Sequence, residues 1–256
     1  MNFGSAPNFP IGENVVLSCL ITGVYDVNRN TVLKSKDRSL FREWAGSLTK
    51  LGLQGILFHN DLPDSVCANS QNEHIGFIRV PYAAEFNPNV YRYFVYQQFL
   101  ANHVHEIKNL FITDVSDVVV AQNPFIHPFF IKNANSLFCG DEPKQLANEW
   151  MQEHSAHLRA TISDYASYEE EFSEAALLNC GIIGGSYSVM VGFINRLALI
   201  HANHNRNNVT AYTGDMGAFN YLARTQFNDR LLHGPPVNTV FKMHESDRGD
   251  CWFRHK

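Results

Sequence analysis

The sequence predicts an α/β fold: a mixed, mostly parallel central sheet flanked by helices. Three observations carry that prediction. Short, nearly continuous apolar runs rich in β-branched residues recur along the first half of the chain, as strands buried on both faces require. Segments with apolar residues at helical spacing lie between them, and such alternation implies βαβ units. The 256 residues are 45% hydrophobic and 18% charged, enough apolar area to offset ordering entropy and a length that suits one α/β domain.

The elements follow in order. Val15-Val16-Leu17-Ser18-Cys19-Leu20-Ile21 reads as the first strand. Asp37 to Leu51 is helical, with Leu40, Phe41, Trp44, Leu48 and Leu51 on one stripe and Gly52 where a C-terminal glycine belongs. Gln54–His59 and Gly76–Val80 are the next strands. Asn89 to Ile107 places Val90, Tyr93, Phe94, Leu100, Val104 and Ile107 along a second helix, and Asn109–Thr113 is a fourth strand. Beyond it, Lys144 to Ala160 reads as a helix, Ser163 to Glu174 as partly helical, and Leu177 to Gly185 as an apolar, glycine-rich stretch. Tyr187 to Ala202 and Gly214 to Arg224 are helical patterns; from Leu231 a strand and an irregular segment are expected. No repeat, low-complexity stretch or flexible linker divides the chain, so residues 1–256 are read as one unit.

Several functions are excluded at this level. The formal charge is −5 and the 20 Lys and Arg never form a run, so neither a phosphate-gripping nucleic-acid face nor a polybasic membrane patch is expected. No apolar stretch approaches the ~20 residues of a membrane helix, and Met1 to Glu13 lacks the pattern of a secretory signal. Cys19, Cys67, Cys139, Cys180 and Cys251 show no Cys-x-x-Cys spacing, and read as buried free thiols. A cytoplasmic protein is expected, which makes the sequon Asn208-Val209-Thr210 an ordinary loop.

The chemical signal is the fourth strand's end, Leu110-Phe111-Ile112-Thr113-Asp114-Val115-Ser116-Asp117-Val118-Val119-Val120. In open α/β sheets ligands collect beyond the carboxyl ends of strands. Two carboxylates held there repel each other unless a cation or a proton neutralises them. A hard cation with oxygen ligands, Mn²⁺ or Mg²⁺, fits Asp114 and Asp117. The bland alternative is one turn-capping and one solvated aspartate.

Asp114-x-x-Asp117-Val118-Val119-Val120-Ala121-Gln122-Asn123-Pro124-Phe125 resembles the acidic motif of GT-A-fold glycosyltransferases, in its Asp-x-x-Asp form. The resemblance implies a single GT-A (Rossmann-like) domain, with a nucleotide-binding half at about 14–125 and an acceptor-side half at about 126–256. It implies a metal-dependent transfer of a sugar from a nucleotide-diphosphate sugar to a hydroxyl on a glycan, glycolipid or protein glycan. Thr22-Gly23-Val24-Tyr25 is similar to the loop that receives the base, and Ser116 joins the donor-binding set. Arg92 would reach the diphosphate, where a guanidinium matches phosphate oxygens; otherwise it is a surface arginine.

Leu178-Asn179-Cys180-Gly181-Ile182-Ile183-Gly184-Gly185 resembles the segment beside the donor sugar, with Asn179, Gly184 and Gly185 as the implied contacts. Thr213-Gly214-Asp215-Met216-Gly217-Ala218-Phe219-Asn220 resembles Asp-Gln-x-x-Phe-Asn, placing Asp215 at the acceptor or donor sugar, or else simply at a helix start. Phe241-Lys242-Met243-His244-Glu245-Ser246-Asp247-Arg248 resembles the family's late histidine segment. His244 is then the third metal ligand, with His255 its competitor, and Lys242 and Arg248 face the leaving diphosphate. An acceptor base would be Asp215, Glu174 or Asp141, although the glycine and histidine segments look more like retaining families.

Rival readings fit less well. A haloacid-dehalogenase-type phosphatase needs its two acids two residues apart, and position 116 is Ser. A sugar-nucleotide pyrophosphorylase needs a basic glycine-rich loop after the first strand. The pairs His154/His157 and His201/His204 lack a third zinc ligand and read as helix-surface histidines. A carbohydrate-binding protein of the same fold without catalysis, or a metal-dependent sugar-nucleotide hydrolase, is the remaining alternative.

Overall fold

A computed structural model describes residues 10–26, 30–206, 214–246 and 248–256; the sequon, Thr213 and Asp247 lie outside these. In chain order the first half holds β1 (Asn14–Leu20), β2 (Tyr25–Asp26), β3 (Thr31–Val32), α1 (Ser39–Lys50), β4 (Gln54–His59), α2 (Asp64–Ala68), β5 (Ile75–Arg79), α3 (Pro88–Asn102), β6 (Asn109–Thr113) and β7 (Val118–Val120). The second holds α4 (Pro128–Lys132), β8 (Leu137–Gln145), α5 (Glu149–His154), α6 (Ala156–Thr161), α7 (Tyr165–Glu171), β9 (Ala176–Ser186), α8 (Tyr187–His204), α9 (Asp215–Gln226), β10 (Leu231–His233) and β11 (Phe253–His255).

Seven strands form one sheet in the order β10-β8-β9-β6-β1-β4-β5. Strand β9 runs antiparallel to β6 and β8, and the other neighbours are parallel. The fold is thus α/β, with a mostly parallel central sheet flanked by helices. Strand periodicity sorts the core into two layers. Val15, Leu17, Leu110 and Ile112 face α3, α8 and α9, while Val16, Leu20 and Phe111 face α1 and the β7–β11 pair.

Local chemistry sets the helix starts. Asn87 accepts from Asn89 N and Pro88 opens α3, the arrangement an N-terminus favours. Gly52 takes φ +65° after α1, a left-handed turn that a glycine enters without strain. Helix α3 stops at Asn102, short of the expected Ile107, and Val104 is left exposed.

The helix expected over 144–160 is replaced by other structure. Strand β8 continues to Gln145, and helix begins only after Asn148, whose side chain accepts from Met151 N. It then breaks at Ser155 into α5 and α6. Pro143 cannot donate in a helix and the register with β9 shifts between Asp141 and Gln145, so the backbone stays extended until a capping residue arrives. The stretch expected to be merely apolar and glycine-rich is the 11-residue strand β9. No helix of the described residues is long and apolar enough to cross a membrane.

Candidate metal centre and ligand cavity

The acidic loop between β6 and β7 is pinned from three sides. Asp114 N donates to Gly181 O of β9 at 2.8 Å. Thr113 Oγ1 accepts from Trp44 Nε1 at 2.8 Å, and its carbonyl accepts from Ser18 Oγ at 2.7 Å. Below the loop, Phe111 packs against Phe125, Phe130, Phe138, Trp252 and Phe253. That aromatic layer supports both β7 and β11. Each such ring buried contributes about 2–3 kcal/mol, so the loop sits on firm ground.

Strand β11 pairs antiparallel with β7, with His255 opposite Val118, and Lys256 N donates to Asp117 O at 2.9 Å. This brings the buried imidazole of His255 to the carboxylates. Its Nε2 is 4.0 Å from Asp117 Oδ2, and ligand atoms of Asp114, Asp117 and His255 lie within 4.8 Å of one another. Burial holds His255 below its ordinary pKa, in the neutral form that a metal needs. Its Nδ1 is buried and has no hydrogen-bond partner among the described residues. Gly181 completes the cradle: a Cβ there would stand 2.6 Å from His255 Cε1 and 2.8 Å from Asp114 Oδ2. Two carboxylates, one neutral imidazole and a space cleared by a glycine fit a divalent ion.

Late His244 is not the third member. It is exposed, takes φ +51° and is not part of the Asp114–Asp117–His255 cluster. The signal that marks His255 is the run Trp252-Phe253-Arg254-His255, whose buried–intermediate–buried pattern over β11 is that of a short strand.

The centre opens on a cavity of about 480 Å³. Arg92, from buried α3, is paired with Asp114 and lies 3.8 Å from Asp215 Oδ2. It is a buried bridge between two carboxylates and not a surface arginine. Asp215 opens α9, where a negative charge is favoured, and its Oδ1 accepts from Met216 N at 2.8 Å. Burial raises its pKa, with Arg92 opposing. Cys180, between them, is a thiol kept protonated by burial and by Asp215. Cys19, which also lines the cavity, is pushed up to about 12 by burial, with Arg92 opposing.

Of the residues singled out in the sequence, Ser116, Asn179 and Lys242 line the cavity and several others do not. Gly184 and Gly185 pair with Phe111 and Leu110 further along β9; a Cβ on Gly184 would meet Phe111 Cδ1 at 2.1 Å, so that glycine serves core packing. Asn179 Oδ1 accepts from Gly181 N at 2.7 Å and its Nδ2 donates to Glu142 Oε1 at 2.8 Å. Glu142 is therefore the β8 carboxylate in the cavity. Asp141 turns away to His233 Nδ1, 2.9 Å, and Glu174 is exposed outside it. Thr22 is fastened to Asn60 by two backbone bonds and Gly23 makes the turn at φ +76°. Tyr25 is exposed and bonded to Asn30. Their neighbours Ile21, Val24 and Asp26 line the wall instead. Arg248 pairs with Asp250 at 2.7 Å, apart from the cavity.

The histidine pairs form no metal cluster among the described residues. His201 is not on the surface: it is fully buried, stacked on Tyr93 at 5.2 Å and bonded to Asn205, which also holds His157. Neither protein-family models nor curated proteins yield a match to the chain.

Proposed function

We propose that the chain is a metal-dependent glycosyltransferase that moves a sugar from a nucleotide-diphosphate sugar to a hydroxyl on a glycan or glycolipid. The observation that carries this reading is the meeting of Asp114, Asp117 and His255 at the carboxyl edge of the sheet, on a cavity that also holds Arg92. That edge is where an open α/β sheet receives ligands. A bound Mn²⁺ or Mg²⁺ supplies positive charge opposite a leaving diphosphate.

The residues divide the remaining work. Arg92 and Lys242 add cationic groups on the cavity wall, placed to stabilise phosphate charge as it develops. Apolar Leu20, Ile21, Val24 and Leu33 offer a slot for a base. Asp215, with its pKa raised by burial, holds or accepts a proton near the sugar more readily than a solvated aspartate. Five free thiols suit reducing, cytoplasmic surroundings.

Calorimetry with UDP, GDP, CDP, ADP and dTDP, each with and without Mn²⁺, tests the reading. At least one is expected to bind only with the ion, and Asp117→Ala is expected to abolish that binding. No metal-dependent binding by any of them, or unchanged binding in the variant, overturns it.

A further inference from the structure

The sheet order lays out the cavity floor. Ends of β1, β6, β9 and β8 succeed one another across it, which at ~4.8 Å per strand spans roughly 14 Å from β1 to β8. The metal cluster sits at the β6 end, so the β1 side and the β8 side are separate subsites. The β1 side is mostly apolar, with Leu20, Ile21, Val24 and Leu33 beside Asp26. The β8 side carries Glu142 and Lys144, with Asn179 of the neighbouring β9, and Trp150 near the start of α5 lines the same cavity.

Trp150 is set for contact. The His154 ring stacks on it at 4.5 Å and 19° between planes, and His154 Nδ1 is 2.6 Å from Trp150 O, so the indole's orientation is fixed by its own helix. Glu142 is equally fixed, by Asn179 Nδ2 at 2.8 Å and with Lys144 Nζ at 3.9 Å. An oriented aromatic residue and anchored hydrogen-bonding groups lining one cavity match a sugar ring. The ring's C–H face covers the indole while its hydroxyls meet a carboxylate and an amide.

We infer that Trp150, with Glu142 and Asn179, forms a glycan-binding subsite that seats the terminal sugar of the acceptor. The assignment rests on the transferase reading for the word acceptor, but the subsite itself is open to a test that does not depend on it. A base is the competing occupant of an aromatic face; the anchored carboxylate and amide favour a polyol, and the mostly apolar β1 wall is the better slot for a base.

Saturation-transfer NMR with the methyl glycosides of glucose, galactose, mannose, N-acetylglucosamine and xylose reads the contact. At least one is expected to bind, with Trp150→Ala weakening it by about tenfold and Trp150→Phe by less than about threefold, as an aromatic contact predicts. Fluorescence gives a second readout. Trp44 and Trp252 are 0% exposed, so acrylamide quenching reports Trp150, and the bound glycoside should protect it. No glycoside bound, equal binding in a folded Trp150→Ala, or protection by uridine or guanosine but by no glycoside overturns the subsite. Glycoside binding through Trp150 in a protein that binds no nucleoside diphosphate leaves the subsite standing and removes the transferase reading.

Discussion

His255 and Asp117 face each other across the β7–β11 pair, Nε2 to Oδ2 at 4.0 Å. The imidazole is held neutral by burial and its place is set by strand pairing. His255→Ala should weaken Mn²⁺ binding by about 100-fold or more, since even outer partners of a metal site cost 10–100-fold. His244→Ala should leave it within error. Isothermal titration with Mn²⁺ checks both, and equal losses would undo the choice between the histidines.

Two glycines of β9 should separate site from core. Gly181→Ala puts a methyl between His255, Asp114 and Asn179, so metal binding should be lost with a stability change of about 1–3 kcal/mol. Gly184→Ala drives a methyl into Phe111 and should cost at least that much stability, while the folded fraction still binds the ion. Urea unfolding and metal titration on each variant supply the comparison.

Thr113 should matter for stability through its hydroxyl. Thr113→Val keeps the shape but leaves the buried Trp44 Nε1 without its 2.8 Å acceptor. The expected loss is about 1–3 kcal/mol, read as a lower urea midpoint with an unchanged m-value.

Acidification should destabilise the fold through His201. Burial pulls its pKa from the ordinary 6.5 to about 3. Above 6.5 the unfolded and folded chains are both neutral there and the group adds no pH dependence. Between 6.5 and about 3 the unfolded chain takes a proton that the folded chain refuses, so stability falls as pH falls. His59, depressed to about 4 by burial, acts in the same sense. His201→Phe should flatten the slope by up to about 1.4 kcal/mol per pH unit, measured from urea midpoints at pH 7 and 5.

The parallel half of the fold was legible because its strands are continuous apolar runs: Gln54–His59 and Asn109–Thr113 are found at their expected bounds. The helix expected from Lys144 was not, because the β8 register shift and the Asn148 cap decide the backbone there. The two acids and their loop were legible from a local pattern. His255 was harder, since a short alternating run over Phe253–His255 does not say which strand it pairs with. Choosing Glu142 over Asp141 turns on strand parity, and parity next to an irregular register is a tertiary fact.

The β7–β11 pair has a thermodynamic consequence. Asp117 and His255 are separated by more than half the chain, and the unfolded polypeptide holds them together only at the entropic cost of closing that loop. An ion taken up by the cluster therefore binds the native state and hardly the unfolded one. By mass action, a concentration one hundred times the dissociation constant adds about 2.7 kcal/mol to stability. The melting temperature should therefore rise with added Mn²⁺ and fall back when a chelator removes it, an outcome that thermal melts with and without the ion check.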